Sequence, residues 1–291
     1  MTTWTLSGFA DEIDAEPDIQ FSVLAALGAR HIELRSAWST NVAEFTEEQL
    51  DGVARSLSRR GMQVSAIGSP VGKVEVSAPV DHEVARLKRV IAVAHRVQAR
   101  YIRVFSFWPA GHANGSHSLA AGALPDDTAA SMRDAVLARM RALADVAERE
   151  DVVLLHENEK DIYGDTPERV LDLIESVGSD RLRVAWDSAN FVQCGVEPFT
   201  RAYPLLKSHL EYLQVKDARF SDGEVTPAGE GDGQLLETMT ALRDDGYSGF
   251  ASLEPHLALS AENGGFSGPY EFGRAARAFR RLLEQIGVDA A

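Results

Sequence analysis

A chain of 291 residues with 45% hydrophobic and 25% charged side chains has the balance of a globular protein and excludes a disordered one. Its 29 basic and 44 acidic residues leave a formal charge of −15, a field that repels phosphate backbones and argues against a nucleic-acid partner. The single cysteine, Cys194, excludes an internal disulfide and fits a reducing, cytoplasmic setting. No apolar run approaches the roughly 20 residues that cross a bilayer. Met1-Thr2-Thr3-Trp4-Thr5 also lacks the basic and apolar regions of a secretion signal, so no membrane partner is expected.

Short apolar runs alternate with longer amphipathic stretches along the chain. The expected strands are Thr5–Phe9, His31–Arg35, Gln63–Gly68, Tyr101–Phe105, Val152–Glu157, Leu182–Asp187, Tyr212–Lys216 and Phe250–Glu254. Each has the short, mostly apolar pattern of a parallel strand covered on both faces. Between them, Val84–Val97 and Ser131–Glu150 carry apolar residues at helical spacing. Thr166-Pro167-Glu168 reads as an N-cap followed by proline at the first helical position, opening Glu168–Val177. Gly28, Gly61 and Gly246 fall just past helical runs, where C-terminal glycine caps belong. The last helix is expected over Tyr270–Ile286. Eight strands alternating with eight helices predict an α/β fold, a (β/α)8 TIM barrel forming one domain over residues 1–291. A doubly wound sheet is disfavoured because Gly8-Phe9-Ala10-Asp11-Glu12 is not the glycine-rich turn such folds place after the first strand. The long irregular stretch 108–127 follows the fourth strand, and its His112 and His117 are expected to be solvated.

In a barrel, chemistry sits at the C-terminal ends of the strands. The fifth strand ends His156-Glu157-Asn158-Glu159-Lys160, the sixth Trp186-Asp187-Ser188-Ala189-Asn190, the seventh Gln214-Val215-Lys216-Asp217 and the eighth Ser252-Leu253-Glu254-Pro255-His256. Side chains alternate along a strand. Glu157 therefore points opposite to His156 and Asp187 opposite to Trp186, while Ser252 and Glu254 share a face, as do Tyr212, Gln214 and Lys216. Three converging carboxylates must be paired or must share a cation. Taken singly, each is equally well read as a helix cap or a partner for a nearby Arg or Lys.

These stretches, with Ile32-Glu33-Leu34-Arg35 and Pro227-Ala228-Gly229-Glu230-Gly231-Asp232-Gly233, resemble the xylose isomerase-like TIM-barrel superfamily of sugar isomerases and epimerases. The resemblance implies metal ligands Glu157, Asp187, Gln214 and Glu254, with Gln214 standing where the family's His-x-Lys-Asp has histidine. A glutamine carbonyl is a weaker donor than imidazole for transition metals, so Mn2+ or Mg2+ is the expected cofactor. The implied activity is isomerisation or epimerisation of a small polyhydroxylated substrate by proton movement next to a carbonyl. Glu157 and Glu254 are the implied catalytic pair. Candidate substrate contacts are Lys216, Asn190, His256, Lys160, Arg35 and Lys73. The same site could instead serve a lyase or dehydratase acting on a keto-sugar or keto-glycoside, or a metal-free sugar-binding homologue. Phe105, Phe107 and Trp108 are read either as a sugar-facing wall or as core, and Cys194, with no basic neighbour in sequence, as structural. Pairing into a homo-oligomer through loops of the catalytic face is compatible with the fold.

Overall fold

The computed structural model describes residues 3–111, 122–257 and 267–290; His112 and His117 lie outside them. Eight parallel strands form one curled sheet: β1 (Thr3–Gly8), β2 (His31–Leu34), β3 (Gln63–Ile67), β4 (Tyr101–Val104), β5 (Val153–Glu157), β6 (Leu182–Asp187), β7 (Leu210–Val215) and β8 (Phe250–Leu253). They run in the order β1-β8-β7-β6-β5-β4-β3-β2. β1 and β2 come side by side at the seam, without ladder pairing among the described residues. A short strand, Asp289–Ala290, joins the same edge of β1 at Thr3 and Trp4.

Helices α1 (Pro17–Ala26), α2 (Glu47–Arg60), α3 (Val80–Arg96), α4 (Asp126–Arg149), α5 (Pro167–Val177), α6 (Ser188–Gln193), α7 (Tyr203–Leu206), α8 (Leu235–Asp244) and α9 (Gly268–Ile286) supply the outer layer. α3 and α4 begin four and five residues before the apolar periodicity does, at Val80 and Asp126 rather than Val84 and Ser131. Their first turns carry Asp81 and Glu83, and Asp126 and Asp127, which favour the positive end of the helix dipole but give no hydrophobic signal. α2 opens with a full capping box, Thr46 and Gln49 satisfying each other's backbone N–H. It closes at Gly61, whose φ of 62° is the left-handed conformation that glycine adopts without strain. Thr166 and Pro167 occupy the expected N-cap and first position of α5, although the Thr166 side chain makes no capping hydrogen bond.

Strand parity decides what faces the ring's axis. Val153, Leu155, Ala185 and Tyr212 pack together inside, where Ser65 Oγ lies 2.6 Å from Ser7 Oγ and 2.8 Å from the Tyr212 hydroxyl. Outward-facing neighbours lock this parity. Trp186 packs edge-on against Phe191 and Tyr203 and donates its indole N–H to Ser188 Oγ at 2.9 Å, which leaves Asp187 facing in. His156, fully buried, sits 3.0 Å from Ser106 Oγ, which does the same for Glu157. Phe105, Phe107 and Trp108 are buried in the core.

Candidate metal and substrate site

Main-chain register sets Asp187 beside Gln214 and Gln214 beside Ser252 across β6, β7 and β8. One carboxylate oxygen from each of Glu157, Asp187 and Glu254 lies within 4.8 Å of the others. All three side chains are almost completely buried. Local contacts hold them. Asp187 caps α6 by accepting the Asn190 backbone N–H at 2.9 Å. Asn158 clamps the adjoining strand ends, accepting the Asp187 N–H at 3.0 Å and donating to its carbonyl at 2.9 Å. Asn190, read from sequence as a substrate contact, gives its side-chain amide to Glu157 Oε1 at 3.0 Å and to the Asn158 carbonyl at 2.8 Å. The first turn of α6 turns it back onto β5.

Cations of the protein thread the cluster. Lys216 Nζ lies 2.7 Å from Asp187 Oδ2 and 3.2 Å from Glu254 Oε2. Arg103 Nη1 lies 3.0 Å from Glu157 Oε2 and 3.6 Å from Glu254 Oε1. Arg35 joins Glu254 at 2.9 Å to Asp11 at 2.8 Å. His256 Nε2 is 3.1 Å from Glu254 Oε1 and 3.3 Å from Glu12 Oε1. Burial would raise the Glu254 carboxyl, but Lys216, His256 and Arg35 overcome it and hold the group well below the usual carboxylate range. Burial prevails at Asp187, pushed up to about 7 despite Lys216, and it raises Glu157 against the pull of Arg103. For Lys216 the neighbouring Asp187 and Glu254 outweigh a burial penalty and keep the ammonium charged.

Gln214, expected as a fourth ligand, donates its amide to Glu33 Oε1 at 3.2 Å. Its Oε1 is buried with no hydrogen-bond partner among the described residues. Glu33 itself is pushed up to about 7 by burial. Arg35, Lys73, Arg103, Glu157, Glu254 and His256 line a cavity of about 420 Å³, with Lys216 in the same wall. Lys73 stands at its edge, 2.9 Å from Glu159 and over the Phe105 ring. Lys160 and Asn190 are not among the lining side chains. Arg103 and Glu33 were not singled out from sequence. A lone arginine inside the apolar run Tyr101-Ile102-Arg103-Val104 was the available signal, since a charge in a strand buried on both faces demands a partner.

The donor set suits a hard divalent cation. Three carboxylates converge, an amide oxygen lies buried without a donor, and every one of these donors is oxygen. In and beside the site Asp11, Glu12, Glu33, Glu157, Glu159, Asp187 and Glu254 outnumber the permanent cations Arg35, Lys73, Arg103 and Lys216, and an added cation would favour the ionised forms of those that burial raises.

Glu12 closes the rim. Its Oε2 accepts the His256 N–H at 2.8 Å and the Ser267 hydroxyl at 2.7 Å, so the two flanks of residues 258–266 meet at one buried carboxylate.

Known proteins share this fold. A 140-residue stretch is 32% identical to 2-epi-5-epi-valiolone 7-phosphate 2-epimerase of Actinoplanes sp., covering 48% of this chain and 46% of that protein. The chain therefore matches less than half the length of that relative. Among solved structures, a D-tagatose 3-epimerase-like protein superposes with a TM-score of 0.73 at 13% identity, over 97% of this chain and 98% of the other. A xylose isomerase-like TIM barrel protein from Mycobacterium smegmatis in complex with magnesium gives 0.68 at 17% identity, over 97% and 98%. A family model described as xylose isomerase-like TIM barrel matches residues 21–284. With its strand order and the strand-end placement of its acidic residues, the chain belongs to the xylose isomerase-like TIM barrel family.

Proposed function

We propose that this chain, folded as one domain, is an isomerase or epimerase that moves a proton at a carbon next to the carbonyl of a small polyhydroxylated compound. The observation that carries the reading is the convergence of Glu157, Asp187 and Glu254, the two glutamates lining a cavity large enough for a sugar or cyclitol. Glu157, Asp187, Glu254 and the carbonyl of Gln214 are the residues that would hold Mg2+ or Mn2+. A bound divalent cation supplies Lewis-acid polarisation of the substrate carbonyl.

The chain's own groups do the rest. Asn190 and Arg103 fix Glu157 from two sides, so that its carboxylate is oriented before substrate arrives. Glu157 takes the proton from carbon, and the electron pair moves to the carbonyl oxygen. Arg103, within ion-pair distance of both glutamates, stabilises that developing charge. Glu254, ionised in the resting site, returns a proton only after taking one up from solvent. Delivered to the opposite face of the same carbon it gives the epimer, whereas return by Glu157 to the neighbouring carbon, with the hydroxyl proton crossing to the former carbonyl oxygen, gives the isomer. Lys73 and His256 line the cavity and contact substrate hydroxyls. The epimerase name of the Actinoplanes relative supports this chemistry.

The test is solvent exchange. Ketoses and keto-cyclitols incubated with the protein in D2O, with Mn2+ or with EDTA, should gain deuterium next to the carbonyl only when metal is present. Glu157→Gln and Glu254→Gln should each lower the rate by at least about 100-fold, the scale of one general acid–base group. Release of water without exchange would point to dehydration, and absence of exchange with every carbonyl substrate would end the isomerase reading.

A further inference from the structure

Two of the three carboxylates that would receive a divalent cation already share a cation of the protein. Lys216 Nζ sits between Asp187 Oδ2 and Glu254 Oε2, at 2.7 and 3.2 Å. Gln214 brings no charge of its own to the cluster. We propose that Lys216 is a built-in competitor for the metal: its ammonium bridges Asp187 and Glu254 when no metal is bound, and a divalent cation enters only as that ammonium moves off them. The idea rests on the metal reading above and extends it to how tightly this chain holds its ion.

The neighbouring cations separate a movable group from fixed ones. Arg103 also rests against two aromatic rings, its guanidinium carbon 4.9 Å from the centroids of Phe9 and of Phe105. Arg35 is tied to Asp11 through a second pair of bonds, at 2.8 and 3.1 Å. Both are planar groups held at several points. Lys216 is a single ammonium on a flexible four-carbon stem, and its wall opens on the 420 Å³ cavity. Two cations on the same pair of carboxylates repel each other at low dielectric, so either the ammonium or the ion occupies the bridge. Metal binding is thereby weakened by the cost of displacing Lys216. The displaced ammonium turns toward the space where substrate oxygens would lie.

Mn2+ affinity, read by the electron paramagnetic resonance of free Mn2+ in titrations of EDTA-stripped protein, tests this without any substrate. Lys216→Met removes the charge and keeps most of the stem; it should bind Mn2+ at least tenfold more tightly than the parent protein. Lys216→Arg keeps the charge and should bind no more tightly than the parent. Stripped Lys216→Met leaves Asp187 and Glu254 without their bridge, so its Tm should lie below that of the parent and rise more on adding Mn2+. A variant recovered only in the presence of Mn2+ is the extreme of the same result. Equal or weaker Mn2+ binding by Lys216→Met, or an equal rise in Tm, overturns the competition while leaving the metal site intact. If neither parent nor Lys216→Met binds Mn2+ at millimolar concentration, the metal reading itself falls.

Discussion

Asp217→Asn isolates the device that shapes the loop after β7. Asp217 is fully buried, and its two oxygens accept four backbone N–H groups: Ala218 at 2.9 Å and Gly233 at 2.8 Å on Oδ1, Gly229 at 2.8 Å and Gly231 at 3.1 Å on Oδ2. The glycines are there for room as much as for flexibility, since a Cβ built at Gly231 or Gly233 would come within 2.5 Å of Asp217 Oδ1. An asparagine keeps the shape but swaps one oxygen for an NH2 that cannot accept, leaving two buried donors facing a third. Hydrogen bonds to a charged group contribute about 1.5–3 kcal/mol each, so losing two of them predicts a destabilisation of about 3–6 kcal/mol, less whatever a local shift recovers. That is a large share of the ~5–15 kcal/mol that holds a typical domain together. Urea unfolding should show a lower midpoint. Hydrogen exchange at the Gly229, Gly231 and Gly233 amides should accelerate before any global opening. A loss under about 1 kcal/mol with unchanged protection of those amides would refute the account of the loop as a nest built for its own carboxylate.

Three further outcomes are expected. Burial holds the His156 imidazole down to about 3, so it stays neutral in the folded chain while its unfolded counterpart charges near 6.5. The unfolded state then binds more protons below that value. The stability contributed by neutral His156 is complete above about pH 6.5 and declines by about 1.4 kcal/mol per pH unit as pH falls toward 3. Unfolding curves of the parent and His156→Gln at pH 7 and pH 5 should diverge accordingly, and parallel curves would contradict it. Gly164→Ala would drive a methyl into the same imidazole, within 2.7 Å of His156 Nε2, at a cost of about 1–3 kcal/mol or more; a urea midpoint within error of the parent would show that the ring has room to yield. Asn190→Ala frees Glu157 Oε1, and the deuterium-exchange rate should drop about 10- to 100-fold with little change in substrate KM, whereas a change in KM alone would make Asn190 a binding group after all.

The architecture was legible because parallel strands covered on both faces read as short apolar runs. The strands expected at 31–35, 63–68 and 182–187 match His31–Leu34, Gln63–Ile67 and Leu182–Asp187 within one residue. The convergence of Glu157, Asp187 and Glu254 was legible for a related reason. Alternation along each strand assigns the inner face, and the ends of parallel strands meet at one rim. What escaped is what depends on closure in space. Arg103 and Glu157 are 54 positions apart, and their 3.0 Å contact follows from the neighbouring register of β4 and β5. Asn190 carries a side chain suited to a sugar hydroxyl, yet the helix that begins at Ser188 folds it back onto β5. Gln214 and Glu33 belong to β7 and β2, and only the curvature of the sheet brings them across the interior.

The Glu12 carboxylate carries a consequence for how the chain matures. It is buried without exposure in the first loop, and its hydrogen-bond donors at His256 and Ser267 arrive 244 and 255 residues later. As a nascent chain leaves the ribosome from the N-terminus onward, that side chain must stay hydrated until more than 240 further residues have been made. Sealing the rim therefore waits for the segment that carries Ser267. A chain cut short before α9 would keep most of its strands yet expose the carboxylate beside its intended cavity, a mark by which quality control could tell an unfinished barrel from a finished one.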